Sequence, residues 1–350
     1  MRLGLLCVLW SWIAFVSTGA WGYEIENQTL FPALSSSDAR NSIQQLDVIS
    51  TTDIDQFQPI IDAFQQQNPT VAIQYVTASS TDLMRALYDE GAEFDVAISS
   101  AMDLHTKLAN DGFAREHQST QTEIAPSFAR WRNEVFTFTE EPAAIVYSEK
   151  AFQGLEVPST RQELITLLRE HPARFRGKIG TYDVRQSGLG YLFASQDARN
   201  SETYWRLTEV MGSLEVKTYC CSSDMIQDVS TGEIALAYNV LGSYATTRVT
   251  HGADIKILLP EDYTLLMQRS VLIPKSSLSP ELAGNFIDHL LNLAWHTTDN
   301  QVYPFPRISS VTTDSSYPHL PIRLGPGLLV FLDNLKRQRF IKEWEDSVIQ

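Results

Sequence analysis

Leu46-Asp47-Val48-Ile49-Ser50, Val71-Ala72-Ile73-Gln74-Tyr75-Val76 and Phe94-Asp95-Val96-Ala97-Ile98-Ser99 are three short apolar runs, each rich in β-branched or aromatic residues. Residues 53–67 lie between the first two and carry Ile54, Phe57, Ile60, Ile61 and Phe64 at helical spacing. Residues 81–90 precede the third, with Leu83, Met84 and Leu87 on one helical face. Strands alternating with helices of this length predict parallel pairing through right-handed crossovers. The carboxyl ends of such strands share one edge, and ligands sit outside it. Hydroxyls fall at each of these ends: Ser50, Thr51 and Thr52 after the first run, Ser79, Ser80 and Thr81 after the second, Ser99 and Ser100 closing the third. N-capping explains any one of these corners. Three on one edge predict a polar-ligand site. Helices starting there add unpaired N–H groups and a positive dipole end, so an anion is expected.

The beginning of the chain sets the compartment. Arg2 precedes residues 3–16, which are apolar except for Ser11, and Ser17, Thr18, Gly19 and Ala20 follow. Charge, apolar run and small residues in that order predict a secretory signal peptide over residues 1–22, cleaved after Ala20 or Gly22. The run falls short of the about twenty residues a membrane span needs. A periplasmic protein is therefore expected, with residues 23–45 as a polar extension. The rest is longer than one core usually organises, so about two domains are predicted. A net charge of −15 and a pI near 4.9 leave no basic stripe for nucleic acid. Beyond Cys7 in the apolar run, Cys220 and Cys221 are adjacent. Neighbouring Cα atoms about 3.8 Å apart lie below the usual disulfide range, so two small buried thiols are expected. No CxxC spacing suggests a metal or redox centre.

Further along, Phe136-Thr137-Phe138-Thr139 runs through Glu140-Glu141-Pro142 into Ala143-Ala144-Ile145-Val146-Tyr147. It reads as a strand leaving the first lobe, with Pro142 near the hinge because proline belongs at an edge or crossing. Lys178-Ile179-Gly180-Thr181-Tyr182 is a strand leading into Asp183-Val184-Arg185-Gln186-Ser187-Gly188 and then a helix. A glycine-bearing turn between strand and helix can cradle an anion. Arg185 would add a bidentate donor there; it reads equally well as half of a surface ion pair. Strand, polar tip and helix start recur from Ile234 through Tyr238, Asn239 and Tyr244. Amphipathic helices over residues 282–295 and 328–344 close the chain. The expected division is 46–141 with 268–350 in the first lobe and 142–267 in the second.

Four blocks carry a family resemblance: Phe138-Thr139-Glu140-Glu141-Pro142-Ala143, Gly180 through Gly188, Tyr219-Cys220-Cys221-Ser222-Ser223-Asp224-Met225, and Gly232-Glu233 through Ala245. Across about residues 46–293 the chain resembles the type 2 periplasmic solute-binding proteins of ABC transporters. The nearest branch holds iron(III)-type, sugar-phosphate and phosphoglycerate-type binders. The resemblance implies an α/β fold of two Rossmann-like lobes joined by a hinge, closing on a small polar, anionic solute. Thr51, Thr52, Ser79, Ser80, Ser99 and Ser100 would line it from one side, and Asp183, Arg185, Ser187, Gly188 and Asn239 from the other. It implies a monomer without cofactor or metal, serving an ABC permease or, in the phosphoglycerate-regulation branch, a membrane sensor kinase. Ferric binders of the branch carry two consecutive tyrosines where this chain reads Tyr238-Asn239, which argues against bare iron. An exported hydrolase is the rival class, but GxSxG is absent and none of the seven histidines are paired at i, i+4.

Overall fold

The computed structural model describes residues 22–35, 43–307 and 318–349. The signal peptide expected over residues 1–22 lies outside them, apart from Gly22. In chain order the strands are β1 (Asn27–Phe31), β2 (Gln44–Ser50), β3 (Val71–Thr77), β4 (Val96–Ser99), β5 (Ala114–Arg115), β6 (Arg130–Trp131), β7 (Val135–Thr137), β8 (Glu141–Tyr147), β9 (Ile179–Tyr182), β10 (Lys217–Tyr219), β11 (Leu236–Leu241), β12 (Lys256–Leu258), β13 (Thr264–Met267), β14 (Ser270–Pro274) and β15 (His319–Pro321). They form two sheets, β1-β3-β2-β4-β14-β7-β6 and β10-β9-β11-β8-β13-β15, with β5 beside β14 and β12 beside β8.

The three apolar runs form the parallel heart of the first sheet: β2 pairs parallel with both β3 and β4. Their near-continuous burial follows from cover on both faces. On one face the helix Ile54–Gln67 buries Phe57, Ile60, Ile61 and Phe64. Phe64 meets Phe286 of the helix Pro280–His296 edge-on at 5.0 Å. The polar extension differs in part from expectation, since β1 runs antiparallel along the β3 edge.

The chain crosses between the sheets where β7 passes into β8, over residues 138–141, and again at Gln268 and Arg269. These crossings run side by side: Ser270 faces Thr137 on one side, Met267 faces Glu141 on the other, and Phe138 N–H donates to the Arg269 carbonyl at 3.1 Å. Pro142 opens β8 opposite Leu266, next to the crossing.

The C-terminal segment departs from the expected division. β15 pairs with β13 of the second sheet, and the helix Asn334–Val348 packs on the same lobe. Phe340, Trp344 and Val348, spaced four residues apart, make a stripe along that helix and bury against Val184, Tyr191 and Tyr204. Gly212 permits the close approach: a Cβ there would stand 2.1 Å from the Ser347 carbonyl oxygen. The stripe was legible, but its partner depends on packing between residues far apart in sequence.

The expectation of buried thiols is also corrected. Cys220 is exposed and Cys221 half-buried, where β10 gives way to the helix Ser222–Thr231, and a disulfide joins them. The pair lies in a surface turn, so no core packs around it.

Candidate functional site

The helix-start hydroxyls of the first lobe meet the second lobe along one seam. Thr51 and Ser100 link two strand ends, their hydroxyls 3.2 Å apart, with Ser100 N–H donating to Thr51 Oγ1 at 3.0 Å. Across the gap, Gly188 N–H donates to Ser80 Oγ at 3.0 Å and Thr81 Oγ1 to the Gln186 carbonyl at 2.7 Å. The Asp53 N–H donates to the Tyr244 hydroxyl at 3.2 Å. These bonds join the loops after β2 and β3 to the starts of the second-lobe helices Gly188–Asn200 and Gly242–Thr250. Gly188 is required by closeness: a Cβ would stand 2.7 Å from Ser80 Oγ and 2.9 Å from Leu104 Cδ1.

Other expected residues serve the scaffold. Ser79 caps its short helix by accepting from Asp82 N–H, and Ser187 caps the Gly188–Asn200 helix by accepting from Gly190 N–H. Ser99 accepts from Ala101 N–H and is fully buried. Thr52 is buried beneath the seam and accepts from Arg269 Nη1 at 2.5 Å.

Three second-lobe residues turn elsewhere. Arg185 donates to both carboxylate oxygens of Asp183, at 2.8 and 2.6 Å, and reaches Glu345 of the C-terminal helix at 3.2 Å. Although burial opposes it, these donors hold the Asp183 carboxyl below its usual range. The expected bidentate anion donor is thus spent on a carboxylate two residues before it. Asn239 has a left-handed backbone (φ 63°), and its amide donates to Asp197 Oδ2 at 2.7 Å inside the second-lobe core. There Asp197 also accepts from Tyr238 and Tyr263, beside the fully buried Arg161.

Residue types alone did not single out the hinge centre. Arg269 and Glu141 are both fully buried, paired at 2.7 Å, and lie on the two crossings. Arg269 reaches the first lobe at Thr52, and Ser243 of the second lobe donates to Glu141. Thr139 donates to Glu141 Oε1 at 2.8 Å. The available signal was a glutamate and an arginine placed at both crossings.

Several carboxylates lie close enough to act on one another, with Asp53 following β2 and Asp82 following β3. Burial raises the Glu26 carboxyl above its usual range, and the charges of Asp53, Asp82 and Asp224 push it the same way. Burial also raises Asp53, with Arg269 opposing. Among the described residues, the group close enough to hold a metal ion is Cys220, Cys221 and Asp224, and its two sulfurs are bonded to each other. No helix of the described residues is long and apolar enough to cross a membrane.

Residues 47–294 match the family described as bacterial extracellular solute-binding protein. The chain belongs to this family. The binding protein is also similar to a solved substrate-binding protein of an ABC transporter from Agrobacterium tumefaciens, at 33% identity, a TM-score of 0.82, and 92% and 98% of the two chains covered. AfuA from Actinobacillus pleuropneumoniae, solved with fructose-6-phosphate, shares the fold at 14% identity, a TM-score of 0.70, and 88% and 99% coverage. Iron-bound HitA from Pseudomonas aeruginosa does so at 15% identity, a TM-score of 0.65, and 87% and 99% coverage. No curated protein sequence matches the chain. Binding proteins of this family act in the periplasm and deliver small solutes to ABC permeases.

Proposed function

We propose that the seam is a solute cleft in its closed form and that it captures a small hydroxylated solute bearing a phosphate or carboxylate. One observation carries this reading: small donors at the strand ends of both lobes, Thr51 with Ser100 and Ser80 with Gly188, converge on one gap. Hydroxyls and backbone N–H groups at helix starts can hold an anionic group without a guanidinium, so Arg185 has no part in it. AfuA, bound to fructose-6-phosphate, is of the same fold. Tyr238, the tyrosine nearest the ferric pattern, is engaged by Arg161 and Asp197 in the core, which weighs against ferric ion.

The mutual repulsion of Glu26, Asp53, Asp82 and Asp224 favours a second reading, in which the solute carries an amine. A thermal-shift panel of sugar phosphates, phosphoglycerates, polyamines and ferric salts on ligand-stripped protein separates the two. A ligand at a hundredfold its Kd stabilises by about 2.7 kcal/mol, or roughly 4 °C for a chain of this length. A shift with phosphorylated solutes supports the first reading; one confined to polyamines supports the second; one with ferric ion alone overturns both. Output to a permease, or alternatively to a membrane sensor kinase, is read from which membrane protein the solute-loaded form retains.

A further inference from the structure

A second cavity of about 250 Å³ lies between the lobes, along the helices leading away from Ser80 and Ser100. The helices Ser80–Met84 and Met102–Asn110 wall it on the first-lobe side; Gly188, Tyr191 and the C-terminal residues Leu332, Asn334 and Arg337 wall it on the other. Two of its groups make no direct ion pair among the described residues, although the Arg337 charge already acts on the Asp103 carboxyl from a distance. Asp103, 2% exposed, has Oδ1 without a hydrogen-bond partner, a costly arrangement for a buried acceptor. Among the described residues the Arg337 guanidinium has no ion pair within 4.0 Å, and it rests over the Tyr191 ring at 5.3 Å from its centre. The remaining cations of the wall are already matched: Arg85 pairs with Asp82 at 2.8 Å and Lys107 with Asp111 at 2.5 Å. Asp89 is exposed at the rim.

We propose that this cavity binds a small zwitterion, its ammonium on Asp103 and its carboxylate on Arg337. Size and polarity select the class. At about 30 Å³ per water the space holds roughly eight waters, below the 300 Å³ or more of drug-sized sites, so the occupant is a short amino acid. A cation alone would leave Arg337 unmatched, and an anion alone would leave Asp103 so. Asp103 belongs to the first lobe, whereas Arg337 belongs to the C-terminal segment on the second. An occupant therefore holds the lobes together and raises affinity for the cleft solute, which reciprocally raises affinity for the zwitterion.

Calorimetry on the full chain with glycine, β-alanine and δ-aminovalerate, and with ethylamine and propanoate as single-charge controls, tests this. Saturable binding of at least one zwitterion is expected, weakened about tenfold to a hundredfold by Asp103→Asn and by Arg337→Gln, as for hydrogen bonds to charged groups. Arg337 is partly exposed, so its variant tests the site without challenging the core. Arg176→Gln, in an exposed ion pair with Glu215 away from both sites, is expected to leave zwitterion binding unchanged. Four results each overturn the proposal: no zwitterion binding at millimolar concentration, equal binding of a single-charge control, survival of binding in Arg337→Gln, or its loss in Arg176→Gln.

Discussion

Two buried arginines do different work in this molecule. Arg161 donates to Tyr238, Asp262 and the Tyr263 carbonyl at 2.6, 2.9 and 2.7 Å, and every partner belongs to the second lobe. Arg269 is as deeply buried, but its partners are Thr52 on the first lobe and Glu141 on the opposite crossing, which Ser243 ties to the second. The chemistry is the same, a guanidinium whose burial is tolerated because carboxylates and hydroxyls match it. Position decides the consequence. A centre inside one lobe fixes that lobe, while a centre between two crossings also fixes how the lobes meet.

Replacing either arginine should produce the largest effect. Arg161→Met and Arg269→Met each strand a buried carboxylate and should lose about 3–5 kcal/mol in urea unfolding. Only Arg269→Met should also weaken solute affinity beyond what the stability loss explains; equal affinity losses would break the comparison. Gly188→Ala comes next. Its methyl overpacks the closed seam against Ser80 and Leu104, at about 1–3 kcal/mol. Because opening relieves the clash, calorimetry should find solute binding weakened about tenfold to a hundredfold while the unliganded melting point moves little.

A pH effect follows in size. Burial holds the His105 imidazole down at about 3 from a usual 6.5, its Nδ1 3.0 Å from the Ser270 hydroxyl and its Nε2 without a partner. The unfolded chain takes up this proton first, so the contribution of neutral His105 is full above about pH 6.5 and is lost as pH falls toward 3. Asp103 works in the opposite sense. Burial raises it to about 7, and its contribution, present below the unfolded value near 3.8, is lost as pH rises through 7. Urea unfolding across this range should show His105→Gln flattening the acid limb and Asp103→Asn the neutral one. The smallest effect belongs to Arg185→Ala: its pairs are partly exposed, so less than about 1 kcal/mol should be lost, with solute affinity unchanged. A large affinity loss would return Arg185 to the cleft.

These contrasts also mark what could be read in advance. The parallel heart of the first lobe was legible, because β2, β3 and β4 are continuous apolar runs with a hydroxyl at every end. The position of Thr51, Ser80, Ser100 and Gly188 at the strand ends that meet along the seam was legible with it; their part in binding is proposed. For Arg185 the sequence left two readings, anion donor or surface ion pair. The side chain makes the pair, because a turn's aim is not written in sequence and Asp183 was close enough to claim it. Asn239 was placed at the correct strand tip; its left-handed backbone then sends the amide into the core toward Asp197. Arg269 escaped notice because its value comes from Glu141, more than a hundred residues earlier. The C-terminal helix showed its apolar stripe but not its partner, since Gly212 and Ser347 meet only after folding.

That last contact bears on how the protein is made. A chain emerging amino end first completes the core of its first lobe with Tyr303 and Phe305, whereas the second still lacks β15 and its covering helix. Until residues 334–348 arrive, Tyr191, Tyr204 and Val184 lack the cover of Phe340, Trp344 and Val348, and the second lobe carries an exposed apolar face that the first does not.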